Sequence, residues 1–103
     1  MSYSIYITET ALNDLDSIYE YISGSLKEPV VAANLLSKLE AEINSLNEMP
    51  FRFRKYDEEP WISMGMRIMP TESYVVLYTP NEDMQTVTIN RVMYGGRDVP
   101  QQI

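Results

Sequence analysis

Apolar residues near the N-terminus follow two periods in succession. Tyr3, Ile5 and Ile7 alternate with other residues, and this period of two is typical of a β-strand. Thr8 or Thr10 can then cap a helix. Helical spacing follows at Ala11, Leu15, Ile18 and Ile22, with Leu12 and Tyr19 beside them. The pattern predicts a strand and then a helix that ends near residues 23–24.

A second amphipathic segment begins at Pro29, a residue that suits the first turn of a helix. Its apolar positions are Ala32 or Ala33, Leu36, Leu39, Ile43 and Leu46. We expect it to end before Pro50. Two such helices with a short connection predict a helical hairpin on a sheet, and we interpret both apolar stripes as core rather than as partner surface.

The C-terminal half has the composition of strands. We predict strands over residues 61–69, 73–79 and 85–94, with Pro70 stopping the first and residues 80–83 forming a turn. Short connections favour an antiparallel meander, and the N-terminal strand is expected to join its sheet. The expected fold class is α+β: an N-terminal strand, a two-helix hairpin and a three-stranded antiparallel meander, all in one sheet. Residues 1–103 are expected to form a single domain.

Composition narrows the chemistry that this chain can support. The 103 residues include neither cysteine nor histidine, so disulfides, thiol chemistry and the usual general base are absent. We expect no metal site and no cofactor. Without a long apolar run or a basic segment before an apolar one, we expect no membrane span and no signal peptide, and a cytoplasmic location.

The net charge of −7 is unevenly distributed along the chain. Residues 1–50 hold two basic and eight acidic residues, whereas residues 51–103 hold six basic and seven acidic residues. A protein that binds nucleic acid unaided normally presents a basic face. The chain as a whole does not fit that class, although a local basic site remains compatible with it.

Three basic residues lie among aromatic residues in the loop 50–60. They are Arg52, Arg54 and Lys55, interleaved with Phe51, Phe53 and Tyr56. Such a cluster can engage phosphates and stack bases. Asp57, Glu58 and Glu59 follow directly and could neutralise it, so we favour a solvated loop.

Two arginines lie within predicted strands. Arg67 either pairs with a carboxylate at the edge of the core or points into a binding groove. Arg91 shares the parity of Val87, Ile89 and Met93, which we take as the buried face, and we favour a structural ion pair at the strand end. A β-bulge would overturn that parity.

The last strand runs into Tyr94, Gly95, Gly96, Arg97 and Asp98. Glycines permit backbone conformations that other residues avoid, and the junction of a scaffold and a loop often carries function. A tyrosine can donate a proton or stack, and an arginine can clamp a phosphate or carboxylate. Tyr94 and Arg97 are therefore the best pair for polar chemistry, although a buried strand followed by an ordinary turn is the simpler interpretation.

Several segments, in this order, resemble the RelE/ParE superfamily, the toxins of bacterial type II toxin–antitoxin pairs. They are I-T-E-T-A-L-N-D-L-D-S-I-Y-E-Y-I, I-N-S-L-N-E-M-P, G-M-R-I-M, S-Y-V-V-L-Y-T and I-N-R-V-M-Y-G-G-R-D. The resemblance covers nearly the whole chain. It implies a cognate antitoxin as partner, a role in plasmid stabilization, and a homodimer or a hetero-oligomer with the antitoxin.

The resemblance implies two kinds of activity. RelE-like members are ribosome-dependent mRNA endonucleases that use basic residues at the cleaved phosphate, whereas ParE-like members inhibit DNA gyrase by binding. Where RelE-like members carry one arginine this chain has Val75, and where they carry a basic doublet it has Gly96-Arg97, or Gly95 if the register slips. Tyr94 stands at a position that is often histidine. Arg67 matches an arginine found in both branches.

These departures argue against an efficient ribonuclease, and the segments G-M-R and S-Y-V-V-L-Y resemble ParE-like members more closely. The resemblance therefore implies a toxin that acts by binding, with gyrase as its target. An anionic protein would also meet electrostatic repulsion from ribosomal RNA. The first alternative is a ribosome-dependent mRNA endonuclease with a phosphate site made by Arg67, Tyr94, Arg97 and the loop 52–55. The second alternative is a non-toxic relative that only binds a partner.

Overall fold

The computed structural model describes residues 2–57, 59 and 61–95. Its long elements are β1 (Ser4–Ile7), α1 (Glu9–Glu20), α2 (Pro29–Asn44), β2 (Arg67–Thr71), β3 (Tyr74–Asn81) and β4 (Thr86–Tyr94). A π-helical turn, Tyr21–Ser25, extends α1, and short 3₁₀ turns follow α2 at Ser45–Asn47 and Pro50–Arg52. Among the described residues, no helix is both long and apolar enough to cross a membrane.

The four strands form one mixed sheet in the order β1-β4-β3-β2. Strand β3 is antiparallel to both of its neighbours, β2 and β4. Strand β1 lies parallel to β4, with Ser4 opposite Thr86 and Ile7 opposite Ile89. The α+β fold class is therefore confirmed, including the meander and the place of the N-terminal strand in its sheet.

Thr8 sets the start of α1 and ties the helix to the sheet. Its hydroxyl accepts a hydrogen bond from the Ala11 amide at 3.1 Å and lies 2.9 Å from the Ile89 carbonyl, to which it donates. A threonine at this position satisfies an amide that the first turn leaves without a helical partner. Of the two threonines predicted as caps, Thr8 is the one that caps the helix.

Both faces of the sheet are covered, and the buried cluster on one face is larger than that on the other. The helices cover one face, where Leu15, Leu39 and Ile43 pack on Val76 and Ile89. The other face carries a smaller cluster, against which Trp61 packs. The six buried residues of this second cluster are Tyr56, Met66, Ile68, Val75, Leu77 and Met93. The predicted helical stripes are largely core, although Leu12 and Tyr19 are exposed.

The prediction of a strand over residues 61–69 is wrong at its start. Residues 61–65 form turns, and strand β2 begins at Arg67. Of these residues Trp61 packs on the second sheet face, edge-on against Tyr56 with ring centroids 5.7 Å apart, whereas Ile62 and Met64 are exposed. Pro70 does not stop the strand but lies within it, because β2 is an edge strand and a missing amide there removes no bond of the ladder.

The predicted turn at residues 80–83 lies two residues too early. Pro80 and Asn81 belong to β3, and the turn follows them. Strand β2 reaches only as far as Tyr78, so Pro80 has a ladder partner on one side only and its missing amide is tolerated.

A β-bulge corrects the predicted parity of the last strand. Leu77 pairs with Arg91 whereas Tyr78 pairs with Ile89, which leaves Asn90 as an extra residue in β4. Beyond this bulge the alternation is inverted. Met93 therefore lies in the second cluster, on the face opposite Ile89, and Val92 takes its place in the helix-covered core.

An open groove at the end of strand β4

The last residues of β4 extend beyond the strand that pairs with them. Strand β1 ends at Ile7, opposite Ile89, and the chain then turns away into α1. One edge of residues 90–94 therefore faces α1 rather than another strand. A groove of about 470 Å³ opens there. Its lining is Asp14, Ser17, Ile18, Tyr21, Tyr74, Arg91, Val92, Met93 and Tyr94.

Asp14 joins α1 to this edge through three hydrogen bonds. One carboxylate oxygen accepts from the Val92 amide at 2.9 Å and from Arg91 Nε at 2.8 Å, and the other accepts from Arg91 Nη2 at 3.0 Å. This hydrogen bonding raises the pKa of the Arg91 guanidinium, with burial acting in the opposite direction. Arg91 thus makes the structural ion pair predicted for it.

Three tyrosines from distant parts of the chain supply the aromatic side chains that line the groove. Tyr74 and Tyr94 pack edge to face with ring centroids 6.0 Å apart, and Tyr21 reaches the groove from the π-helical turn after α1. Burial raises the pKa of Tyr74, and the neighbouring Tyr94 and Tyr21 add to the shift. Tyr94 keeps 61% and Tyr21 58% of its surface exposed, so both rings are accessible to an incoming ligand.

Gly95 has a role at this site that differs from the one expected of it. An added Cβ would lie 3.3 Å from Ser73 O and 3.3 Å from Val75 Cγ1, and the Gly95 amide donates to Ser73 O at 2.8 Å. Its φ does not lie in the left-handed region. The glycine is therefore needed for close approach of two strand ends and not for an unusual backbone conformation. Gly96, Arg97 and Asp98 lie outside the described residues.

Arg52, a candidate phosphate ligand in a loop expected to be solvated, binds the segment that follows α2. Its Nη1 donates to the carbonyls of Glu48 at 2.6 Å and Met49 at 3.1 Å, and its Nη2 donates to Ser45 Oγ at 3.1 Å. Its guanidinium also lies 4.8 Å from the centroid of the Phe53 ring. These contacts fix the chain as it leaves α2.

Arg67 is bonded to the backbone of the same loop. Its Nη1 donates to Phe53 O at 2.6 Å and to Phe51 O at 3.3 Å, and the guanidinium lies 5.1 Å from the Phe51 ring centroid. These partners are carbonyls rather than the carboxylate considered from the sequence. Arg67 is also not among the residues that line the β4 groove.

The remaining basic residues of the loop, Arg54 and Lys55, do not line the β4 groove. Arg54 and Lys55 are exposed, and their backbone runs along the outer edge of β2, where Arg54 O accepts from the Ile68 amide at 3.1 Å. Val75, at the position of an arginine in RelE-like members, is buried in the second core cluster. Within the described residues, no group of three or more His, Cys, Asp or Glu side chains could hold a metal ion.

The sequence singled out Tyr94 and Arg91 but missed their neighbours Asp14, Tyr21 and Tyr74. Neither Asp14 nor the two tyrosines belonged to a motif that marked them in the sequence. Only the topology brings these three residues to the end of β4. The groove thus has apolar walls with phenol tips, and its two charged lining residues are bonded to each other.

A family model described as the ParE toxin of the type II toxin–antitoxin system parDE matches residues 5–99. The chain belongs to this ParE toxin family. The match extends from within β1 to beyond β4, and so includes every element that forms the groove. A comparison with curated protein sequences found no match.

Solved structures of this superfamily share the fold. The chain is similar to a structure of the chromosomal ParDE system of P. aeruginosa, with a TM-score of 0.76, 19% identity, and coverage of 92% of this chain and 98% of that one. It is also similar to a structure of the toxin–antitoxin complex RelBE2 of Mycobacterium tuberculosis (TM-score 0.64, 23% identity, 91% and 99% covered). A third is the isolated E. coli RelE toxin (TM-score 0.63, 16% identity, 98% and 93% covered). At these identities the likeness concerns the fold alone.

Proposed function

We propose that this ParE-family protein is a toxin that inhibits its target by binding, with DNA gyrase as the favoured target. A cognate antitoxin neutralises it in the cytoplasm, and a plasmid that carried the pair would be stabilised by it. The ParE family match supports the toxin assignment. The mode of action rests on the geometry of the basic residues, and gyrase as the target rests on the resemblance to ParE-like members.

The observation that carries the proposal is the engagement of three arginines by the fold itself. Arg52 bonds to carbonyls of the segment that follows α2, Arg67 bonds to carbonyls of the loop, and Arg91 pairs with Asp14. Cleavage of a phosphodiester needs preorganised cations directed at the charge that develops on the phosphate. Guanidinium groups that already hold backbone carbonyls and a carboxylate are poorly suited to this role.

The antitoxin is proposed to cover the β4 groove. This groove combines exposed tyrosines with an edge of residues 92–94 that is not covered by any strand of the described part of the chain. Both features are typical of surfaces that take an extended or helical segment of a partner. A partner that filled the groove would also contact the end of α1, which forms its opposite wall.

The ribosome-dependent mRNA endonuclease is kept as the second candidate because of Arg54 and Lys55. Both side chains are exposed on the loop, and Arg97 could join them in a phosphate site. Under this alternative, Arg97→Ala would abolish cleavage of translated mRNA within codons. The third candidate, a non-toxic relative, predicts unchanged growth when the protein is produced without any partner.

Induced expression in bacteria distinguishes the three candidates. We expect growth arrest with a DNA-damage response, intact translated mRNA by primer extension, and rescue by co-expression of the adjoining small gene. Cuts within codons would replace the binding mechanism with the endonuclease. Normal growth, with the folded protein detected in the cells, would contradict both toxin candidates.

A further inference from the structure

The β4 groove has a hydrogen-bonding edge as well as aromatic walls. The Val92 amide donates to Asp14, on the side away from β3, whereas the Gly95 amide donates to Ser73 on the opposite side. Backbone groups of a strand alternate in direction from one residue to the next. The amide and carbonyl of Tyr94 therefore point to the same side as those of Val92, into the groove.

The helical wall of the groove is acidic. Helix α1 carries Glu9, Asp14, Asp16 and Glu20 and no basic residue, and its C-terminal end runs into Tyr21 at the groove wall. Asp14 is neutralised by Arg91, which leaves three exposed carboxylates on the helix. A ligand in the groove lies within about one Debye length, roughly 8–10 Å, of the end of this helix.

Tyrosine ring faces attract cations because of their negative quadrupole. Tyr21 and Tyr94 are exposed aromatic rings, and Arg91, the one cation among the described residues that line the groove, is bonded to Asp14. An acidic segment would instead approach a chain of net charge −7. Aromatic walls, an acidic helix and an available strand edge all favour the same ligand chemistry.

We propose that the β4 groove binds an extended, basic segment of the antitoxin, which bonds to the backbone of Tyr94 and places a lysine or arginine side chain against the tyrosines. This inference rests on the proposed function, since it names the chemistry of the partner segment. It predicts a complex in which the toxin supplies the negative charge and the antitoxin the positive charge.

The first test measures how salt changes the affinity. The probe is the purified product of the adjoining gene that restores growth, titrated into the toxin at about 50 and about 500 mM NaCl. We expect the dissociation constant to rise about tenfold or more as salt screens the attraction. A constant that is unchanged or falls with salt overturns the basic segment but leaves the toxin–antitoxin assignment intact. Failure to form a complex at either salt concentration overturns both.

The second test uses matched variants of the exposed Tyr94. Phenylalanine keeps the ring face, so Tyr94→Phe should bind within about threefold of the wild type, whereas Tyr94→Leu should lose about 5- to 30-fold. The control is Tyr6→Leu, an exposed tyrosine on the edge strand β1 and outside the groove. Equal affinities for Tyr94→Phe and Tyr94→Leu, with unchanged thermal unfolding, would overturn the cation–aromatic contact.

The antitoxin supplies the reciprocal test. Each of its lysines and arginines is replaced in turn by methionine, which keeps the length and removes the charge. We expect one such variant to lose about as much affinity as Tyr94→Leu does, and to lose little more when the two changes are combined. Full additivity for every basic residue would overturn the proposed contact.

Discussion

Breaking the Asp14–Arg91 ion pair should detach the C-terminal end of β4 from α1. Arg91 Nε lies 2.8 Å from Asp14 Oδ2, and the exposed fractions of the two side chains are 26% for Arg91 and 15% for Asp14. With an effective dielectric constant of about 20, the gross attraction is about 6 kcal/mol. Desolvation and side-chain ordering offset most of it, and charge-assisted hydrogen bonds in such sites leave a net of about 1.5–3 kcal/mol.

A double-mutant cycle measures this coupling directly. Urea unfolding of the wild type, Asp14→Asn, Arg91→Met and the double variant should give a coupling free energy of about 2 kcal/mol. The matched control is Glu20→Gln, an exposed carboxylate on the same helix, which should change the free energy of unfolding by less than about 0.5 kcal/mol. A coupling below about 0.5 kcal/mol, the value typical of exposed pairs, would refute the view that this pair holds the groove together.

Three further changes should alter stability, each measurable by urea or thermal unfolding. Tyr78 is fully buried and its hydroxyl donates to Pro50 O at 2.6 Å, so Tyr78→Phe should cost about 1–3 kcal/mol. Burial raises the pKa of Tyr78 from 10.0 to about 12. The neutral phenol therefore contributes its full stability below pH 10, and this contribution is lost as the pH rises towards about 12. The Tyr78→Phe variant should lack this pH dependence. Glu72, at the first loop position of the β2–β3 hairpin, has a φ of 53°, a left-handed conformation that strains a residue with a Cβ. Glu72→Gly should therefore raise the free energy of unfolding by about 1 kcal/mol, and a lower free energy of unfolding would contradict this backbone strain. Thr8→Ala should cost about 1–2 kcal/mol, because the cap of Ala11 and the bond to the sheet are lost together, and a change below about 0.3 kcal/mol would contradict that role.

Periodicity was sufficient for the N-terminal half because each element there buries one face. The alternation at residues 3–7 and the helical spacing from Ala11 to Ile22 correspond to β1 and α1, and the start of α2 at Pro29 follows the sequence rule for a first turn. Local patterns determine these elements, since β1 and both helices direct their apolar residues into the same core on one face of the sheet.

The errors arose where tertiary structure overrode local pattern. In residues 61–65 only Trp61 packs on the second face of the sheet, whereas Ile62 and Met64 are exposed, and the strand-like composition of this turn cannot be told from that of a strand without the fold. One extra residue, Asn90, inverted the parity on which Met93 had been assigned. A bulge of this kind depends on the pairing partner and leaves no signature in the sequence of one strand.

The site was predictable only in part for a similar reason. Tyr94 and Arg91 belong to the strand that the sequence marked as informative, whereas Asp14, Tyr21 and Tyr74 join them only through the topology. The closing segment is thus part of a groove built by four elements rather than a self-contained motif.

The central claim is that this ParE-family protein acts by binding its target, and supercoiling by purified gyrase tests it most directly. The protein is titrated against gyrase with relaxed plasmid and ATP, with and without the rescuing antitoxin. The account predicts that supercoiling is lost as the protein is added and returns when the antitoxin is included. Supercoiling that stays unchanged at a large excess of folded protein would contradict gyrase as the target.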